Sequence, residues 1–205
     1  MTAGEKNCPA PRRLADVYGP VLFVTLIFFL SFISRFIFSP LVPTIRDDLG
    51  VSPSQAGSVF LLASLGLLVG ALLSGLVSSR IPHRGSIILA ASVAAVTLMV
   101  CYFAESLLFI RIAMVVLGLC AGLNQPSSTA TVAAMVSRQD WGKALSLQQS
   151  GPRLSYAVAP LLAIGLLAAF SWQTGLVVIG AFAALCTIAF AIWGTLRVSA
   201  LRSAQ

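Results

Sequence analysis

Three arginines stand inside apolar runs, and they are the residues in this chain best placed to do chemistry. Arg35 lies well within the run from Val21 to Val42, Arg111 about a turn inside a second run, and Arg153 deep in a third. A guanidinium is always charged, carries five donors in a planar fork and matches a carboxylate or phosphate bidentately. Placing one near the middle of a membrane helix costs roughly 2.5–3.5 kcal/mol, so such residues mark functional sites by default. Polar neighbours fall at helical spacing around them. Ser31, Arg35 and Ser39 form one stripe at i, i+4, i+8, and Gln149, Arg153 and Tyr156 another at i, i+4, i+7. Gln125 and Thr129 extend the line of Gly118 and Gly122, with Asn124 and Ser128 alongside. This is the chemistry of anion recognition: Arg35 supplies the main charge, Arg153 a second contact or gate, and Gln125, Gln149, Tyr156, Asn124 and Ser31 orient a ligand through hydrogen bonds. Enzymatic chemistry is not indicated. The single histidine, His83, sits in a polar connection, and no nucleophile–base pair, metal-ligand set or phosphate loop is visible.

The elements that must carry these side chains are membrane helices. Of 205 residues, 58% are hydrophobic and 9% charged, against about 25% charged in a soluble domain. Apolar runs of about 20 residues give six spans, near 20–42, 54–79, 85–104, 107–136, 144–170 and 174–193, so the fold class is an all-α membrane protein. The net charge of +7 is read by location rather than as a nucleic-acid signal. Lys6, Arg12, Arg13, Arg80, Arg84, Arg138, Lys143, Arg197 and Arg202 fall on one side of the membrane, while Arg46, offset by Asp47 and Asp48, is alone on the other. The positive-inside rule then places both termini in the cytoplasm of a multi-pass inner-membrane (plasma-membrane) protein. The chain divides into an N-terminal tail (1–19), a six-helix bundle (20–196) and a C-terminal tail (197–205). All six acidic residues, Glu5, Asp16, Asp47, Asp48, Glu105 and Asp140, lie in tails, loops or span edges. Arg111 is expected to snorkel toward the interface beside Glu105.

Lipid offers no hydrophobic drive between helices, so close approach depends on small residues. Gly66, Gly70, Ser74 and Ser78 in the second span, Gly118 and Gly122 in the fourth, and Gly151, Ser155, Ala159 and Ala163 in the fifth are spaced for it. Pro40, Pro126, Pro152 and Pro160 free backbone carbonyls and permit bends in the first, fourth and fifth spans. Polarity and bends thus converge on those three spans, whose polar faces should line a water-filled cavity. Cys8, Cys101, Cys120 and Cys186 show neither metal spacing nor a disulfide framework, and no cofactor is implied.

In this order and spacing the residues resemble the N-terminal six-helix half of the major facilitator superfamily, over about residues 18–196. Ser39-Pro-Leu-Val-Pro-Thr-Ile-Arg-Asp-Asp-Leu-Gly50 followed by Val51-Ser-Pro-Ser-Gln-Ala-Gly57 looks like the family's entry to its second helix. Gly75-Leu-Val-Ser-Ser-Arg-Ile-Pro-His-Arg84 is similar to the signature that links the second and third helices. Gly75, Arg80 and Arg84 match; Ser79 replaces an aspartate and Pro82 a glycine. The resemblance makes Ser79, Arg80 and Arg84 part of a gate built differently from the family's usual one, with Pro152 and Pro160 as bending points. Leu117-Gly-Leu-Cys-Ala-Gly-Leu-Asn-Gln-Pro126 resembles the fourth-helix glycine run. Arg111 precedes Gly118 by seven residues where the family's arginine precedes its glycine by four. Ser155 through Pro160 is a relaxed form of the fifth-helix Gly-Pro motif.

The resemblance implies two inverted three-helix repeats, a cavity lined by spans one, two, four and five, and alternating access. Arg35 falls near the first-helix position where anion-transporting members carry a substrate-binding arginine. A complete transporter has two such halves, so this chain is expected to act with a second six-helix half, as a heterodimer by preference or a homodimer, unless the sequence is truncated. The leading expectation is a half-transporter for a small organic anion. Two alternatives are an efflux half for drugs or cations, its arginines paired with acids of the other half, and a non-transporting membrane scaffold subunit.

Overall fold

The computed structural model describes residues 17–202, and side chains as far as Trp193. Cys8, Lys6, Arg12 and Arg13 lie outside the described residues, as do the side chains of Arg197 and Arg202. The described chain is helical nearly throughout: α1 (Tyr18–Phe36), α2 (Phe38–Leu49), α3 (Pro53–Arg80), α4 (His83–Val100), α5 (Leu107–Met135), α6 (Trp141–Ala169) and α7 (Trp172–Arg202). Short 3₁₀ turns, Cys101–Phe103 and Arg138–Asp140, follow α4 and precede α6. Six segments are long and apolar enough to cross a bilayer, with α1 and α2 together forming the first, Tyr18–Leu49. This first span is longer than its sequence pattern suggests. Pro43 sits inside α2 and is tolerated there, and the polar Arg46-Asp47-Asp48 turn continues the helix instead of ending it. α7 likewise runs to Arg202, past the boundary expected at 196.

The ends are set by local chemistry. Gly50 closes α2 in the left-handed conformation at φ 62°, which costs glycine nothing. Ser52 then caps α3: its Oγ accepts from the Gln55 amide while the Gln55 side chain accepts from the Ser52 amide, with Pro53 in the first turn. Ser106 caps α5 with one such bond, its Oγ accepting from the Phe109 amide. At the end of the bundle that holds these turns, the Trp172 indole donates to Asp48 Oδ2 at 2.9 Å and ties α7 to α2. At the opposite end, Arg84 on α4 donates to the Ala191 carbonyl of α7 at 2.6 Å.

Two apolar clusters fill the interior. One joins α1 and α2 through Phe28, Ile33, Ile37 and Phe38 to Leu98, Met114, Leu117 and Leu176. The other gathers Val21, Val24 and Ile27 with Ile87, Val132, Ala144 and Phe190. α3 is held differently. Its buried stripe is Ala56, Val59, Ala63, Gly66, Gly70 and Ser74, and its Gly66 and Gly70 lie directly on the α5 backbone at Val115 and Leu119. Gly118 and Gly122 of α5 return the contact against Ala63, Leu67 and Gly70. A Cβ at any of the four would collide with backbone atoms of the facing helix. The small-residue ridges read from the sequence are therefore a reciprocal backbone-to-backbone seam.

Candidate functional site

Arg35 closes the last turn of α1. At 1.5 Å per residue it lies about 25 Å from Tyr18 along a run of 32 residues, which is mid-span. A single residue, Ile37, in right-handed helical conformation (φ −60°, ψ −27°), separates α1 from α2. The side chain opens into a cavity of about 200 Å³ lined by Arg35, Phe36 and Ser39 from the first span, Phe60, Ala63 and Ser64 from α3, and Tyr156 from α6. Its guanidinium carbon stands 5.0 Å from the Phe36 ring centroid. Tyr156 stacks on Phe36 with centroids 3.7 Å apart and planes at 28°. Phe36 continues an aromatic file through Phe32 and Phe28, spaced 5.8 and 5.0 Å. The floor under Arg35 is therefore aromatic and apolar, and the Tyr156 hydroxyl stands within hydrogen-bonding reach of the guanidinium. Among the described residues no carboxylate lies within salt-bridge distance of it; the ion pair found is Arg46 with Asp47, in the turn region of α2.

The other residues singled out by spacing divide into three groups. Tyr156 joins Arg35 in the cavity, as does Ser39. Ser31 and Asn124 turn inward. Asn124 Nδ2 donates to Ser31 Oγ at 2.6 Å, Ser128 Oγ donates to Asn124 Oδ1 at 2.7 Å, and Ser31 Oγ donates to the Ile27 carbonyl at 3.0 Å. All three are buried. A spacing of four residues advances 400°, so a stripe drifts by about 40° per step; Ser31 thus enters the bundle while Ser39, two steps on, reaches the cavity. Gln125, Gln149 and Arg153 are exposed on the outside of this half and do not line the Arg35 cavity. Ser79 and Arg80 are exposed at the end of α3, Ser79 donating to the Leu76 carbonyl. Pro152 and Pro160 lie inside α6. Arg111 does not turn to Glu105: its Nε donates to Ser58 Oγ of α3 at 3.0 Å.

Gln148, adjacent to Gln149 and absent from the sequence reading, is fully buried, and neither atom of its carboxamide has a partner. Asn124 and Gln148 are thus buried amides in opposite states. Removing a bonded buried amide strands its partners at about 1–3 kcal/mol each, whereas replacing an unpartnered one by an apolar group of similar shape is neutral or stabilising. Asn124→Leu is expected to lower the thermal unfolding midpoint in detergent by several degrees, and Gln148→Met to leave it unchanged or raise it.

Ser64 is the cavity residue that the sequence reading passed over, along with Phe36 and Phe60. A signal existed: Ser64 is the lone hydroxyl between Ser58 and Ser74 in an otherwise apolar helix. A larger hollow of about 460 Å³ lies between α1 and α7, lined by Gly19, Pro20, Leu22, Phe23, Leu26 and Trp193. None of these lining residues is charged, so among the described residues the chemistry of anion recognition resides at Arg35.

With this geometry in view, comparisons with known proteins define the family. Residues 24–203 match the Major Facilitator Superfamily, and the chain belongs to it. The chain is 26% identical over 168 residues to the probable sulfoacetate transporter SauU of Cupriavidus necator, a match covering 82% of this chain and 39% of that protein. It is 27% identical over 171 residues to the hexuronate transporter of Bacillus subtilis, covering 80% and 39%. The fold matches a bacterial homolog of the human lysosomal transporter Spinster, inward-facing and occupied, with a TM-score of 0.73 at 18% identity, over 88% of this chain and 44% of that one. It also matches the proton:xylose symporter XylE with a TM-score of 0.73 at 17% identity, over 89% and 45%. The chain spans about two fifths of the length of its curated relatives, and its six spans make one half of the superfamily fold.

Proposed function

We propose that this chain is the N-terminal half of an alternating-access secondary transporter for a small organic anion, completed by a second six-helix half. The observation that carries the reading is Arg35: a guanidinium at mid-span, seated on an aromatic floor, opening into a polar cavity with no carboxylate beside it. A substrate anion supplies the missing charge. Both curated relatives are named for transport of anions, which supports the same class. Arg35 and Tyr156 are the primary contacts.

Arg153 and Gln149 occupy the exposed face of α6 and are assigned to the junction with the second half. There Arg153 provides a second contact for the substrate when the halves close. Ser31 and Asn124 position the first span from behind the cavity. Ser79, Arg80 and Arg84 form the gate at the end that carries the termini, which is taken as cytoplasmic. No cofactor enters this scheme.

The test is uptake of radiolabelled organic anions into proteoliposomes, comparing this chain alone with the chain co-reconstituted with a second six-helix half. Arg35-dependent uptake that requires both halves supports the proposal. Uptake that is indifferent to Arg35, or the absence of any anion binding by the assembled pair, overturns it.

A further inference from the structure

The Arg35 cavity offers more than positive charge, and its remaining groups point to a further feature of the ligand. Pro40 and Pro43 have no amide hydrogen, so the carbonyls of Phe36 and Ser39, four residues before them, lose their helical donors. No side chain among the described residues donates to either. Both residues line the cavity. Across from them, Ser64 Oγ donates a hydrogen bond to the Phe60 carbonyl at 2.9 Å, which leaves its lone pairs as acceptors. The lining thus divides into donors, the Arg35 guanidinium with the Tyr156 and Ser39 hydroxyls, which can also accept, and acceptors, Ser64 Oγ with the proline-freed carbonyls of two lining residues. A simple carboxylate or sulfonate presents acceptors only and satisfies just the first set.

We infer that the cavity selects an anion that also carries hydroxyl donors, with the charged group at Arg35 and a hydroxyl directed to Ser64 and the Phe36 and Ser39 carbonyls. This rests on the anion-site reading above and narrows it to hydroxylated acids. A site built to bond a hydroxyl discriminates against an analogue lacking one, because its own acceptors are then left unpaired. Each such bond contributes about a factor of ten in affinity.

The experiment titrates the thermal unfolding midpoint of the chain in lipid nanodiscs against two four-carbon acids, threonate and butyrate, for wild type, Arg35→Gln and Ser64→Ala. The expected result is that threonate stabilises the wild type at concentrations at least tenfold below butyrate. Ser64→Ala should narrow that ratio while leaving butyrate unchanged, and Arg35→Gln should abolish both responses. Equal responses to the two acids, each lost in Arg35→Gln, overturn the hydroxyl inference and leave the anion site standing; so does a ratio that Ser64→Ala does not alter. Responses that persist in Arg35→Gln overturn the anion reading and this inference with it; no response to either acid in the wild type overturns this inference, which requires binding by this chain, while the anion reading is judged on the assembled pair.

Discussion

Arg35→Gln is expected to weaken binding of the transported anion by about 100-fold or more while leaving the helical fold intact. Truncating one member of a desolvated, hydrogen-bonded charge pair typically costs about 2–5 kcal/mol, and a tenfold change corresponds to about 1.4 kcal/mol. Glutamine keeps a donor and much of the volume, so the loss isolates charge and fork geometry. Arg35→Lys divides the two: it retains the charge but not the bidentate fork, and an intermediate loss of about tenfold is expected. Ligand-free stability moves the other way. An unpaired guanidinium at mid-membrane is a net burden, so Arg35→Gln should unfold at an equal or higher temperature than the wild type without ligand. Ligand-induced shifts in the unfolding midpoint read both effects on one sample. Arg35→Lys with undiminished affinity would remove the bidentate role, and Arg35→Gln with undiminished affinity would remove Arg35 from the site.

The second large effect lies at the α3–α5 seam. Gly118→Ala is expected to destabilise the bundle by at least about 1–3 kcal/mol, the usual range for overpacking, because the added methyl meets the Ala63 carbonyl and the Leu67 amide of the facing helix rather than a side chain that can rotate away. Gly118→Leu should fail to give a folded, monodisperse protein. Gly151→Ala is the control. It belongs to the same kind of small-residue stripe, yet its Cβ would stand 3.4 Å from the Thr25 carbonyl and the Phe29 amide of α1, ordinary packing distance. It should be tolerated with little change in unfolding temperature. Similar losses for both alanine variants would show that the two stripes pack alike and contradict the seam.

The helices and their order were legible because the bilayer imposes a simple requirement. Every backbone polar group must be satisfied within the segment, and about 20 apolar residues are needed to cross. Composition and length therefore located six spans with errors mainly at their ends. The first span shows why ends are harder: prolines and charges normally stop a helix, yet Pro43, Asp47 and Asp48 are accommodated in α2, whose actual stop is Gly50 in the left-handed conformation. The candidate site was half legible. Arg35 announces itself by its cost in lipid, and Tyr156 by its spacing from Gln149 and Arg153. Ser64 passed unnoticed because a serine in a membrane helix can bond its own backbone, as this one does to Phe60, so its presence carries little information until a neighbour is placed across from it.

What the sequence determined by itself is the set of groups held in the membrane: six apolar spans, three embedded arginines, and acids confined to tails, loops and span edges. Each of these follows from transfer energies that depend on residue type and segment length alone. Only the tertiary structure decided which groups meet. Asn124 and Gln125 are consecutive, but one is locked to Ser31 inside the bundle and the other faces outward. Arg35, Ser64 and Tyr156 come from three different spans and share one cavity. Helical periodicity specifies a direction around each helix axis and says nothing of which partner stands there. That partner is set by the close approach of backbones at Gly66, Gly70, Gly118 and Gly122 and by the packing of α6 on α1, and these together place one charge on one aromatic floor.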